Sequence, residues 1–199
     1  MPNEFAPFVI GLVGEQGSGK GTSVELFRTL AAPLRVVTIR FSGILRETLT
    51  LWDIPITRAN LQGLTAIMIK QYGADALAHA IEQRVRRTDV DIVVLDGVRW
   101  EADAELLRRF PTHLLVYVTA DANTRYERLC ARGENAGERN MTREQFAETE
   151  RAINEASIPQ IGATADVRIM NTETVPALEQ QVRDIVATVR TRIDTGINN

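Results

Sequence analysis

The sequence predicts a three-layer α/β/α fold around a central parallel sheet, and three observations carry that reading. Short apolar runs rich in Val, Ile and Leu alternate with amphipathic helical stretches from end to end. Those runs are continuously apolar, as strands covered by helices on both faces should be. The first of them, FVIGLV, passes straight into a glycine-rich loop and then a helix. With 199 residues, 44% hydrophobic and 25% charged, the chain has enough material for one such domain with a full core, or a core plus a small lid.

Each element has its own signal. Phe8–Val13 is the first buried strand. Thr22–Ala31 carries Val24, Leu26, Phe27 and Leu30 at helical spacing, and Pro33 stops it. Leu34–Ile39 is the next β-branched run. Ser42 is expected to cap a helix over Ile44–Trp52, with Glu47 in its early turns, before Pro55 interrupts. Asn60–Tyr72 places Leu61, Leu64, Ile67 and Met68 on one helical face and stops at Gly73. Asp75 is expected to cap Ala76–Arg87. The clearest strand, Asp91–Leu95, ends in Asp96-Gly97. Glu101–Arg109 reads as helix, ended by Pro111, and Leu114–Val118 as strand. Asn123–Arg132 and Thr142–Ser157 read as helices on either side of the polar run GENAGERN. Val167–Met170 is the last strand and Val175–Ile193 the closing helix.

No internal repeat or low-complexity linker divides the chain, so residues 1–199 are expected to form a single domain. Within it, the arginine-rich stretch 123–156 stands apart from the sheet pattern and is a candidate lid. A formal net charge of -3 argues against broad electrostatic binding of nucleic acid, though a small basic pocket is compatible with it. The single cysteine, Cys130, permits no intramolecular disulfide, as in a reducing interior. No window approaches the roughly 20 apolar residues that span a bilayer. The N-terminal stretch lacks the basic flank of a signal peptide. The expectation is a cytoplasmic protein, monomeric or homodimeric, with neither nucleic acid nor membrane as partner. The two histidines have no metal-ligand partner at suitable spacing. Trp52 reads as a core residue. Trp100, beside Arg99, is a weak candidate for touching a base.

The stretch GLVGEQGSGKGTSVELF, residues 11–27, nearly spells the phosphate-binding loop G-x-x-x-x-G-K-[ST]. Gly14, Gly19 and Lys20 fall in place. The slot for a metal-binding hydroxyl holds Gly21, and Thr22 comes one residue late. Such glycines let successive backbone N–H groups turn inward around phosphate oxygens, and the following helix adds its positive end. A second marker is IVVLDGVRW: an acidic residue at the carboxyl end of a buried strand can order magnesium beside such a loop. Asp96-Gly97 is also a common turn dipeptide, and only the neighbouring loop favours the functional reading. A third marker is arginine. Arg40 and Arg46 follow the second strand, Arg99 follows Asp96, and Arg125, Arg128 and Arg132 share one helical face, with Arg139, Arg143 and Arg151 beyond. The planar fork of arginine matches phosphate, and several of these residues lie near strand ends, where α/β ligands bind.

At these residues the chain resembles the P-loop nucleoside-monophosphate kinases. GEQGSGKGT is similar to the adenylate-kinase loop, which ends G-K-G-T. RFSGILRE looks like the acceptor segment, DGVR like their Asp-Gly-x-Arg segment, and TRYERLCARG like the start of their lid. Over about residues 8–190 the chain also resembles microbial proteins described as adenylate-kinase-like or dephospho-CoA-kinase-like. The matching segments are VVLDGVRWEADAELLRRF, TRYERLCARG, FAETERAINEASIPQIGATAD and NTETVPALEQQV. The acceptor segment's Gly-Asp stands here as Ser42-Gly43, and the lid's Arg-Asp as Glu150-Arg151.

The resemblance implies a P-loop NTPase fold and an ATP- and Mg²⁺-dependent transfer of the γ-phosphoryl group to a (deoxy)nucleoside monophosphate. It implies that Gly14, Gly17, Ser18, Gly19, Lys20, Gly21 and Thr22 hold the ATP phosphates. It further implies that Asp96 orders Mg²⁺ through water, with Thr22 a weaker metal contact. Arg46 and Arg99 would grip the acceptor, Arg128 would lie against adenine, and Arg132 would reach the transferring group. Lys20, Asp96, Arg99 and Arg132 form the implied catalytic set. Two alternatives stand beside it: a dephospho-CoA kinase, and a nucleotide-binding switch or ATPase without a small acceptor.

Overall fold

The computed structural model describes residues 6–73, 75–133, 138–152 and 155–196. Five parallel strands form one sheet in the order β2-β3-β1-β4-β5, comprising β1 (Phe8–Val13), β2 (Val36–Arg40), β3 (Ile92–Val98), β4 (His113–Thr119) and β5 (Val167–Met170). Every connection crosses over through helix, as parallel pairing requires. The central strand β1 is buried along its whole length.

Its side chains alternate between two cores. Val9 and Val13 join a cluster with Ile81 and Val85 of α4 (Ala76–Arg86), Leu106 and Leu107 of α5 (Glu101–Arg108), and Ile158 and Ile161 of α8 (Ile158–Ala163). Phe8, Ile10 and Leu12 face Val24 and Phe27 of α1 (Lys20–Leu30) and the apolar stripe of α9 (Val175–Thr195). Period-two alternation along a strand thus becomes helix layers above and below the sheet, the predicted α/β/α arrangement. Each fully buried Val, Leu or Phe contributes about 1.5–3 kcal/mol of burial. A third, small core links α2 (Phe41–Leu51) and α3 (Arg58–Tyr72) through Leu45, Leu49 and Leu64.

Several boundaries differ from the sequence expectation. Ser42 does not cap α2: the helix starts at Phe41 directly from β2, with extended Arg40 at the N-cap and no side-chain cap bond. Asp75 occupies the N-cap of α4, but its side chain makes no cap bond either. Thr57, Asp121, Thr142 and Thr174 do cap their helices, by accepting from backbone N–H groups one turn on. The expected helix Thr142–Ser157 is α7 (Arg143–Glu150) followed by the separate α8, which carries proline in its first turn. Residues 153–154 of that span, and 134–137 of the GENAGERN run, lie outside the described residues. Trp52 is not in the core; it is 58% exposed just past α2, where the thin α2–α3 layer has no second face to pack it. Among the described residues no helix is long and apolar enough to cross a membrane.

Candidate active site

The carboxyl ends of β1, β2 and β3 meet one cleft of about 1200 Å³, the position at which open parallel sheets bind ligands. The loop after β1 forms its floor. Gly14 passes so close to β4 that a Cβ there would stand 2.3 Å from the Val118 carbonyl oxygen. Gly17 (φ 76°) and Gly19 (φ 92°) both occupy the left-handed region. Added Cβ atoms would meet the Arg125 carbonyl at 2.6 Å and Asn171 Nδ2 at 2.0 Å respectively. Glycine at these places is a demand of backbone geometry. Gly21 differs: nothing lies within 4 Å of an added Cβ, so the protein itself does not require glycine in the slot.

Asn171, just past β5, braces the loop. Its Nδ2 donates to the Ser18 carbonyl at 2.8 Å, its N–H donates to the Thr119 carbonyl at 2.8 Å, and its own carbonyl accepts from Arg128 Nη1 at 2.8 Å. Three elements are therefore tied to one loop carbonyl. Sequence reading assigned Asn171 no role, although it opens the NTETVPALEQQV segment, because its partners are distant along the chain.

Lys20 begins α1. Burial lowers its pKa, while the carboxylates of Asp96, Glu155 and Glu15 act to hold its charge and Arg99 opposes it. A polyphosphate bound here would favour the charged form and raise that pKa again, so binding should take up a proton between the lowered value and the raised one. The affinity for ATP is therefore expected to fall as pH rises through that window, by up to about tenfold per pH unit, and to lose this dependence in Lys20→Ala. Calorimetry above neutral pH, in two buffers of different ionisation enthalpy, reads the proton directly. Equal heats in both buffers would refute the linkage.

Asp96 lies inside β3 rather than in a turn. Leu12 registers with Asp96 and Val13 with Val98, so Gly97 (φ 95°) is the extra residue of a bulge that leaves Asp96 at the cleft. Asp96 Oδ2 accepts from Arg40 Nε at 3.1 Å, the register partner on β2. Arg40, which the resemblance left without a role, therefore lines the cleft, whereas Arg46 on α2 does not, although both are exposed. Among the described residues no group of three His, Cys, Asp or Glu side chains forms a direct metal site, so magnesium ordering by Asp96 would act through water.

Arg99 is held at three points. Its N–H donates to Asp103 Oδ2 at 2.9 Å, its carbonyl accepts from Ser157 Oγ at 2.6 Å, and its guanidinium pairs with the buried Glu155. Asp103 also accepts from the Trp100 N–H at 3.0 Å. Burial raises the Asp103 pKa against these two bonds. Of the three arginines sharing a face of α6 (Ala122–Arg132), Arg125 is buried, donates to the Ala120 carbonyl at 2.9 Å and pairs with Glu150, a structural role. Arg128 and Arg132 line the cleft, Arg132 Nη2 meeting Glu138 Oε1 at 2.7 Å. The loop residues from Gly17 to Thr22, with Asp96, Arg99, Arg128 and Arg132, thus come together. Gly14 lies behind the loop, and Arg46 and Trp100 stand outside the lining.

Comparison with known proteins gives the same frame. A family model described as an AAA domain, AAA_18, matches residues 10–151. A UPF0200 protein of Methanoculleus marisnigri is 27% identical over 180 residues, covering 89% of this chain and 94% of its own. Among solved structures, shikimate kinase of Bacteroides thetaiotaomicron has a TM-score of 0.57 at 15% identity, over 92% of this chain and 98% of its own. A gluconokinase of Sinorhizobium meliloti has 0.55 at 13% identity, over 96% and 98%. At such identities these two likenesses establish the three-layer P-loop fold.

Proposed function

Because the chain belongs to the AAA_18 family of AAA domains, we propose that it is an ATP-dependent kinase whose acceptor is a nucleotide, most simply a nucleoside or deoxynucleoside monophosphate. The observation that carries this reading is the convergence of a G-K-G-T loop, Asp96 and the four arginines 40, 99, 128 and 132 on one cleft. A site for hydrolysis alone has no use for so many cations beyond the loop. An acceptor bearing its own phosphate does.

Phosphoryl transfer asks for in-line positioning and positive charge around the spreading negative charge. The left-handed glycines let backbone N–H groups of the loop turn toward phosphate oxygens. Lys20 neutralises the outer phosphates. Thr22, exposed at the start of α1, offers its hydroxyl and N–H to an inner phosphate, the part left to it once Gly21 takes the metal slot. Mg²⁺, when bound, supplies charge neutralisation across the phosphates, and Asp96 orders its waters. Arg99, braced from three sides, grips the acceptor phosphate, with Arg40, which lines the cleft, as its companion there instead of Arg46, which does not. Arg128 lies toward the adenine side and Arg132 toward the transferring group. Residues 123–156 act as the lid that excludes water from the reaction.

The test is ADP release from ATP–Mg²⁺ with a panel of (deoxy)nucleoside monophosphates and dephospho-CoA. Gluconate and shikimate join it because chains named for them share the fold. If no acceptor raises turnover above background hydrolysis, the kinase reading fails in favour of a nucleotide switch. Arg99→Ala is expected to raise the acceptor KM by about 10–100-fold, the worth of a hydrogen bond to a charged group, with the KM for ATP within about threefold. Unchanged acceptor kinetics would remove Arg99 from that role.

A further inference from the structure

Glu155 is the buried carboxylate that pairs with Arg99, and it stands behind the cleft wall rather than in it. Arg99 lines the cleft and keeps 33% of its side chain exposed. Glu155 lies outside that lining, with its side chain 4% exposed. A ligand in the cleft therefore meets Arg99 and not Glu155. Whatever Glu155 does for the site passes through the Arg99 guanidinium, whose Nη1 donates to its Oε1.

The carboxylate is planted in the core. Its backbone N–H donates to the Ala152 carbonyl at 2.8 Å, and its own carbonyl accepts from the Ile158 N–H at 3.0 Å. Ile158 opens α8 and, with Ile161, joins the core that holds Val9 and Val13 of β1. Ser157, on the same turn, donates its hydroxyl to the Arg99 carbonyl at 2.6 Å. One turn thus holds Arg99 both by its main chain and by its guanidinium. The same carboxylate, with Asp96 and Glu15, helps to hold the charge of Lys20, which Arg99 opposes. Glu155 is therefore within electrostatic reach of two cations of the site.

Stability does not account for such a pair. Taking two charges out of water offsets much of their attraction, and apolar side chains of similar size often serve a fold equally well. A metal does not account for it either, since no group of three His, Cys, Asp or Glu forms a site among the described residues. What a fixed carboxylate supplies is direction. An arginine free in solvent loses rotamer freedom when it grips a phosphate, and one already held does not lose it again.

We propose that Glu155 is a positioning residue for phosphoryl transfer: it sets the Arg99 guanidinium at the cleft wall before the acceptor phosphate arrives. The inference rests on the kinase reading above. It adds to that reading a residue on which acceptor recognition depends and which the acceptor never touches. The binding of ATP, held by the loop, depends on it far less.

The experiment compares the wild type with Glu155→Gln, Glu155→Asp, Arg99→Ala and the double variant Glu155→Gln/Arg99→Ala. It measures kcat and KM for a nucleoside monophosphate and for ATP in the coupled assay, with Tm. Glu155→Gln keeps the shape and loses the charge. It should raise the acceptor KM by about tenfold, as a misplaced binding group does, with the KM for ATP within about threefold. Glu155→Asp keeps the charge on a shorter stem and should fall between Glu155→Gln and the wild type. In the Arg99→Ala background, Glu155→Gln should change the acceptor KM by less than about twofold, because its effect passes through the guanidinium.

An acceptor KM unmoved in Glu155→Gln but raised in Arg99→Ala overturns the inference and leaves the kinase reading in place. So does an effect of Glu155→Gln that persists at full size without Arg99. A rise in both KM values together with a fall in Tm of several degrees overturns it in favour of a purely structural Glu155. A wild-type response to Glu155→Gln with a large loss in Glu155→Asp overturns it in favour of packing. If ATP binds and no acceptor is used, the inference and the kinase reading fall together.

Discussion

Lys20→Ala is expected to lower kcat/KM with any acceptor by at least about 10²–10³-fold, the usual loss when one preorganised donor to a developing anion is removed. The size of the effect follows from where the side chain sits. Lys20 opens α1 with its ammonium among Asp96, Glu155 and Glu15, and burial disfavours its charge while the cleft is empty. The polyphosphate supplies the counter-charge that burial withholds, so binding and catalysis both draw on this one group. Stability should move the other way or not at all. Alanine is the best helix former, and the substitution removes a partly buried charge. Activity lost at constant or higher Tm would therefore separate a functional lysine from a folding one. Activity retained above about a tenth of wild type would contradict the loop's assignment as the triphosphate cradle.

The sheet was legible because its signal is local. Each apolar run of β1, β3 and β4 announces its own burial, and the helices between them fix parallel pairing. The loop was legible for the same reason, since G-x-x-x-x-G-K is contiguous. Features that depend on partners far along the chain were not. Arg40 and Arg46 look equivalent in RFSGILRE. Only the register Arg40↔Asp96 across 56 residues shows which of them faces the cleft. Asn171 reaches Ser18 across 153 residues, and the Tyr117–Glu15 bond spans 102. Trp52 shows the reverse error. A large apolar residue is expected inside, but the α2–α3 layer is too thin to cover it. The cap of α2 failed for a geometric reason too: β2 runs into the helix with no loop residue left to place a serine at the N-cap.

Two glycines in one loop should respond to alanine with opposite signs, and Gly19 carries the larger effect. At φ 92° a non-glycine residue is strained, at a cost of about 1–3 kcal/mol. The added Cβ would also stand 2.0 Å from Asn171 Nδ2, so Asn171 must withdraw. Its withdrawal releases the Ser18 carbonyl and disturbs the carbonyl that Arg128 uses. Strain and lost bonds together come to about 2–4 kcal/mol, or a fall of roughly 5–15 °C in Tm for a chain of this size. Because the displaced atoms form the phosphate cradle, ATP affinity should fall more than tenfold as well. Gly21→Ala, two residues on, meets nothing within 4 Å and has no positive φ. It should raise Tm, since alanine in a helix is favoured over glycine by about 1 kcal/mol. Thermal unfolding of the two variants side by side reads the contrast. A Gly19→Ala protein with wild-type Tm and ATP affinity would mean that the loop accommodates a side chain where its backbone leaves no room for one.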